Sequence, residues 1–324
     1  MRRAWLAVAG LVVVADGMGA GLGPIQYYRG ACDASAACAL EGGVFVAASD
    51  EDNRLRLYRH DAPGLPVREF DVSAFLAVKA KTECDLEAAA RIGSRIYWIG
   101  SHGPNRDGEE RWERQVMFAT EFSGTGAATR LTPVGLPYRG LLRDLERVAR
   151  TAQLVVRGSR GKGEARATEI EGLAAWPDGQ LLMGFRGPLV QGRTAVVALE
   201  NPEAVLLRGE RARIGERSDL DLGGLGIWDM TAVGQRVYLV AGPVEGQGRC
   251  RIYRWDGRRS SAAPVMIGEM DSREIQPEAL LSVPGRAEGE FLLLSDDGGT
   301  RTDGEDCKDL KAASDRRFRS AWFR

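Results

Sequence analysis

The feature that most constrains this chain is a block that returns along it. Each copy has an acidic residue, small or apolar residues, usually a turn, a strand-like run, and then a polar or glycine-rich corner. It reads LEGGVFVAASDEDNRLRLYR from Leu40, LEAAARIGSRIYWIGSHG from Leu86 and IEGLAAWPDGQLLMGFRG from Ile170. It returns as WDMTAVGQRVYLVAGP from Trp228 and PEALLSVPGRAEGEFLLLSDDG from Pro277. The leading acids Glu41, Glu87, Glu171, Asp229 and Glu278 are separated by 46, 84, 58 and 49 residues, and the longest interval, 84, equals two of about 42. An unseen copy in that interval makes six units of about 47 residues, the size of a four-stranded propeller blade.

The expected fold is therefore all-β: a six-bladed β-propeller, with five blades and a large insertion as the alternative. Short strands, glycine corners and 41 Gly in total disfavour a doubly wound sheet, which needs helices between its strands. One stretch is helical in spacing. YRGLLRDLERVAR, residues 138–150, sets Leu141, Leu142, Leu145 and Val148 on one face, and is expected as a short helical insertion. Closing a propeller joins the two chain ends in one blade, so IQYYRG at Ile25–Gly30 and FRSAWFR at Phe318–Arg324 are expected to pair.

Residues 1–20 resemble an address. Arg2 and Arg3 precede an uncharged apolar run from Ala4 to Ala15, and small residues follow, which is the pattern of a secretory signal peptide. The run is too short for a stable membrane anchor. A periplasmic or secreted protein is expected, with residues 21–324 as one propeller domain that works as a monomer. Five cysteines suit an oxidising compartment, and at least one disulfide is expected among Cys32, Cys38 and Cys84. The formal net charge of −1 leaves no basic field for nucleic acid.

Five ordered blocks, YYRGACDAS with SDEDNRLRLY, CDLEAAARIGSRIYWIGSHGPNRDGE, EIEGLAAWPDGQLLMGFRGPL, GGLGIWDMTAV and LLLSDDG, resemble the bacterial family known as domain of unknown function 3616. The resemblance spans nearly the whole chain after residue 20. Trp228 stands where that family's block has Arg. The family is similar, more distantly, to phytase-like esterase propellers. The resemblance implies a β-propeller and no established reaction.

In a propeller, equivalent positions of the innermost strands meet around one axis. The acids Glu41, Asp85, Glu87, Glu171, Asp229 and Glu278 are thus expected to converge on an acidic central channel, where like charges need a counter-ion. With only His60 and His102 in the chain, a three-His zinc site is excluded and the ion expected is Ca2+, which takes oxygen ligands. The alternative is that these acids bond to backbone amides or arginines as structural repeat marks. The corners SDEDN and SHGPNRDGE add polar groups, read either as solvated turns or as site residues.

Two functions follow. The first is a propeller that binds a small-molecule or protein ligand on its loop face. The second is a calcium-dependent phosphoesterase- or lactonase-like hydrolase, with catalytic roles for His102, Asp107, Arg106 and Arg186. RGSRGKGEAR, residues 157–166, has no Ser or Thr after Lys162 and is not a phosphate loop.

Overall fold

The computed structural model describes residues 21–158, 166–257, 263–302 and 304–324. The expected address segment and residues 159–165 of the basic loop lie outside them. After β1 (Gln26–Arg29) come β2 (Ala36–Leu40), β3 (Val44–Ala48), β4 (Arg54–Arg59) and β5 (Arg68–Asp71), which form the first four-stranded antiparallel sheet. The second holds β6 (Leu86–Ile92), β7 (Arg95–Gly100), β8 (Met117–Ser123) and β9 (Arg130–Tyr138). Two short helices, α1 (Leu141–Glu146) and α2 (Ala149–Ala152), lead to the third: β10 (Glu169–Ala175), β11 (Leu181–Gly187), β12 (Thr194–Leu199), then α3 (Pro202–Arg208) and β13 (Ile214–Leu220). The fourth is β14 (Gly226–Val233), β15 (Arg236–Gly242), β16 (Arg249–Trp255) and β17 (Val265–Asp271). The last joins β18 (Pro277–Leu281), β19 (Phe291–Ser295) and β22 (Arg317–Phe323) to β1, and a separate two-stranded hairpin of β20 (Arg301–Thr302) and β21 (Glu305–Asp306) lies between β19 and β22 in the chain.

The innermost strands touch in the cycle β2, β6, β10, β14, β18 and back to β2, so these sheets are five blades of one closed ring. The expectation of six blades is corrected. The long interval from Glu87 to Glu171 holds the outer strands β8 and β9 of blade two and the helices α1 and α2, and no further sheet among the described residues. The spacing misled because the insertion adds length without adding a strand. Leu141, Leu142, Leu145 and Leu154 are buried in the core between blades two and three, so the insertion seals an interface instead of standing as a blade.

Each interface has its own apolar cluster. Leu55, Leu57, Ile96 and Trp98 fill the space between blades one and two, and Trp228, Tyr238, Leu293 and Phe291 that between four and five. This follows from strands buried on both faces, such as VFVAA in β3 and FLLLS in β19, which need an apolar neighbour on each side. Burying a Leu or Phe contributes about 1.5–3 kcal/mol, so stability is spread around the ring.

The expected closure is present. β1 pairs antiparallel with β22, with Tyr28 opposite Phe318. Tyr28, Phe45, Tyr58 and Phe318 then form an aromatic cluster with centroids 5.1–5.7 Å apart, which ties blade five to blade one. Cys32 is disulfide-bonded to Cys307 across 275 residues, while Cys38, Cys84 and Cys250 are free and buried. A disulfide is thus present, but it joins the two ends of the chain instead of pairing Cys32 with Cys38 or Cys84. Ring closure brings Cys307 to Cys32, while Cys38 lies within β2 and Cys84 sits in the next blade. Among the described residues no helix is long and apolar enough to cross a membrane.

Candidate functional site: an acidic chamber at one mouth of the channel

Four of the five inner strands carry an irregularity at one equivalent place. The register with the second strand slips between Leu86 and Ala88, Ile170 and Gly172, Ile227 and Asp229, and Pro277 and Ala279. The skipped residues are Glu87, Glu171, Trp228 and Glu278. A β-bulge re-aims a side chain that regular alternation would send between the blades. In blade one β2 pairs with β3 without a slip, and its acidic contribution comes from Asp33 and Asp50 on either side of the hairpin.

The result is a cavity of about 760 Å3 lined by Asp50, Glu51, Asp85, Glu87, Glu171 and Asp296, together with basic side chains. Its inner arginines are each held by an acid. Arg114 donates to Asp85 at 2.8 Å, Arg166 pairs with Glu169, and Arg186 donates to both oxygens of Glu171 at 3.1 and 3.2 Å. Asp85 also accepts from the Ser101 hydroxyl. Gln276 bridges two more acids, donating to Glu278 at 3.0 Å and Asp296 at 3.1 Å. Asp50, Asp85 and Glu87 each offer one carboxylate oxygen within 4.8 Å of the others. Two oxygens bound to one Ca2+ at about 2.4 Å stand no more than about 4.8 Å apart, so this triad fits a hard cation.

The electrostatics confirm that these groups feel one another. Burial, and then the charges of Asp85, Glu171, Asp50 and Glu278, hold the Glu87 carboxyl well above the usual range. Asp50 and Glu278 are raised in the same way, by burial first and then by neighbouring acids. Asp33 is pushed up to about 8 by burial and by Asp296 and Glu51. Glu171 reaches about 7, because burial and Glu169 outweigh the opposing Arg186.

The structure brings together Asp85, Glu87, Glu171 and Glu278 from the expected acids. Glu41 lies at the far end of β2, exposed and 2.8 Å from Arg91. Asp229 is buried one residue past its bulge. It accepts the Leu280 amide at 2.6 Å and lines a second cavity of about 220 Å3 further along the channel. Arg106, Asp107 and Arg186 line the chamber. His102 does not. It is 3% exposed, its Nδ1 is 2.8 Å from the Gly100 carbonyl, and its Nε2 has no partner among the described residues. Burial lowers its pKa to about 4, so the imidazole is neutral.

Asp50 was read only as part of the corner SDEDN and not among the axial acids, and Glu169 was not singled out from the sequence. A signal existed: Cys32-Asp33-Ala34-Ser35 aligns with Cys84-Asp85-Leu86-Glu87, which puts Asp33, not Glu41, in the frame of the repeat. The serine-led corners Ser49-Asp50, Ser101-His102 and Ser295-Asp296 follow the second strands of blades one, two and five. Trp228 donates from Nε1 to the Pro243 carbonyl at 3.2 Å and lies under the Arg186 guanidinium, 5.3 Å from ring centroid to Cζ.

No curated protein matches this sequence. Among solved structures, Myxococcus xanthus glutaminyl cyclase aligns at 13% identity and a TM-score of 0.48, over 94% of this chain and 96% of that one. The PQQ-bound aldose sugar dehydrogenase of Streptomyces coelicolor aligns at 12% identity and 0.43, over 92% and 98%. A putative oxidoreductase (glucose dehydrogenase) of Thermus thermophilus aligns at 15% and 0.45, over 93% and 100%. Residues 161–301 match the family model described as "Protein of unknown function (DUF3616)", which bears out the resemblance read from the three sequence blocks within them.

Proposed function

We propose that the protein is an exported propeller whose chamber binds Ca2+ between Asp50, Asp85 and Glu87 and, through the ion, a small anionic ligand. The observation that carries this reading is the triad itself, three oxygens within 4.8 Å in a chamber where neighbouring acids already raise one another's pKa. A divalent cation relieves that repulsion, and its open positions accept a ligand oxygen. Arg106 and Lys308 line the same cavity without a carboxylate partner among the described residues, and supply positive charge for the ligand's anionic end. Export is supported by the address-like residues 1–20 and by the Cys32–Cys307 disulfide. Calorimetric titration of chelator-treated protein with Ca2+ tests the reading. Saturable binding that Asp50→Asn and Glu87→Gln each weaken supports it, and the absence of binding refutes it.

A hydrolase is the second reading, favoured by Glu171. A carboxyl at about 7 exchanges a proton near neutral pH, as a general base must. Asp85, a member of the triad, is a non-glycine residue with φ of 54°, and such strain gathers at functional sites. In this reading Asp50, Asp85 and Glu87 would hold Ca2+, which would supply polarisation of a phosphoester or lactone oxygen, and Glu171 would take a proton from the attacking water. Calcium-dependent hydrolysis of a chromogenic phosphodiester or a lactone, lost in Glu171→Gln while Ca2+ binding persists, would select it. No turnover leaves the binding module.

A further inference from the structure

Between Cys307 and Arg316 the chain forms part of the chamber's rim without a core of its own. Lys308, Asp309 and Arg316 line the cavity. Cys307, 1% exposed, is the one buried residue of this segment. Arg316 binds the Leu310 and Lys308 carbonyls at 3.0 and 3.2 Å, so its guanidinium ties the segment to itself and not to a blade. Its anchors to the rest of the protein are backbone hydrogen bonds, among them Cys307 N to the Thr300 carbonyl and Gly30 N to the Arg316 carbonyl, both 3.0 Å, and the disulfide to Cys32.

That disulfide sits at the chamber's wall on both sides. Cys32 precedes Asp33, whose carboxylate accepts from the Ser49 hydroxyl at 2.6 Å and the Asp50 amide at 3.1 Å. Cys307 precedes Lys308, which together with Arg316 opposes the upward shift that burial and Asp296 impose on Glu51, while Lys308 also acts on Asp296. Closure of the ring does not depend on it. β1 and β22 pair through their own ladder, and Phe318 is held in the aromatic cluster with Tyr28 and Tyr58.

We propose that the Cys32–Cys307 disulfide is a latch that holds the rim segment Cys307–Arg316 over the chamber, so that reduction opens the chamber while the five-bladed ring stays closed. The reductant is a dithiol. Its thiolate attacks one sulfur and forms a mixed disulfide, and the released cysteine thiolate takes up a proton. The reductant's second thiol then displaces the other cysteine and leaves as a cyclic disulfide, having given up two electrons. Both sulfurs are buried, so attack follows local opening of the segment. Freed of the latch, the segment has no fully buried apolar side chain beyond Cys307 to return it, Glu51 loses Lys308 and Arg316, and Asp296 keeps only Arg186.

The control over the chamber rests on the calcium-binding reading above, whereas the latch does not, and the experiment separates them. Limited trypsin digestion with mass mapping is run on the oxidised protein, the dithiothreitol-reduced protein and the Cys32→Ser/Cys307→Ser variant. Cleavage after Lys308 and Lys311 should be at least about tenfold faster in the last two, because digestion follows the open population, with cooperative melting retained. Equal cleavage rates overturn the latch. Cuts spread over all blades with loss of cooperative melting overturn it as well, since the disulfide would then be a staple of the whole fold. Calcium titration of the same samples should show affinity at least about tenfold tighter after reduction, because two positive charges leave the acidic rim, a difference of about 1.4 kcal/mol. Equal affinities overturn control of the chamber. If calcium binds neither form, the proposed function fails and the cleavage result still decides the latch.

Discussion

Asp50 and Glu87 come from different blades, yet their carboxylates offer oxygens within 4.8 Å of each other. Asp50 follows the second strand of blade one, and Glu87 is aimed by the bulge in the first strand of blade two. Two acids so placed repel, and each keeps its proton longer than it would in water.

Neutralising either acid has opposite effects with and without the ion. In chelator, Asp50→Asn and Glu87→Gln remove repulsion and should raise the melting temperature by about 1–4 °C. With calcium, each loses a ligand and should lose most of the calcium-induced shift. The double variant should fall short of the sum of the two, because both act on one site. Melting curves with calcium and with chelator check this, and shifts independent of calcium would count against the site.

Stability should also fall as pH rises, in the metal-free protein. Glu171 moves from an ordinary 4.5 to about 7 and Asp33 from 3.8 to about 8 in the folded chain. Between those limits the native state holds more protons than the unfolded one, so the slope of stability against pH is negative. The contribution is fully present below about pH 4 and is lost as pH rises through about 7 to 8. Calcium displaces these protons, so its affinity should rise over the same window and flatten the decline. Calorimetry between about pH 5 and pH 8, with and without calcium, reads both effects.

Strands such as RIYWIG and LLMGFRG were legible because runs of apolar residues bounded by glycine corners have few other uses. Blade number was not, because α1 and α2 lengthen one interval and α3 another without changing the sheet count. The acids Glu87, Glu171 and Glu278 were legible from the repeat. Their bulges were not, since a bulge inserts one residue and is invisible to a period-two pattern. Glu41 was misplaced for the same reason: in blade one the corresponding acid, Asp33, precedes a strand with no bulge. The partner of Cys32 depends on how the ring closes, which spacing does not encode.

Closure through β22 makes Phe318 a stability determinant far from the chamber. Its ring is fully buried, stacks on Tyr28 at 5.4 Å and meets Tyr58 edge-on at 5.7 Å. Phe318→Ala should cost about 3–5 kcal/mol. Its calcium affinity, measured below the lowered transition, should match that of the parent. Urea denaturation checks the first and titration the second; a loss under about 1 kcal/mol would argue against a closing role for this strand.

The last prediction concerns the one inner-strand bulge that carries no acid. Trp228 fills that place, and a Cβ added at Gly242 would stand 2.3 Å from its indole ring, so the glycine is required by the close approach of the ring. Gly242→Ala should therefore destabilise by about 1–3 kcal/mol through overpacking. Trp228→Leu should also destabilise, because it removes the bond to Pro243 and the surface under Arg186. With the ring gone, the added methyl has room, so in the Trp228→Leu background Gly242→Ala should cost less than it does in the parent. Urea denaturation of the four proteins measures that coupling. Strict additivity would show that the glycine serves some purpose other than admitting the indole.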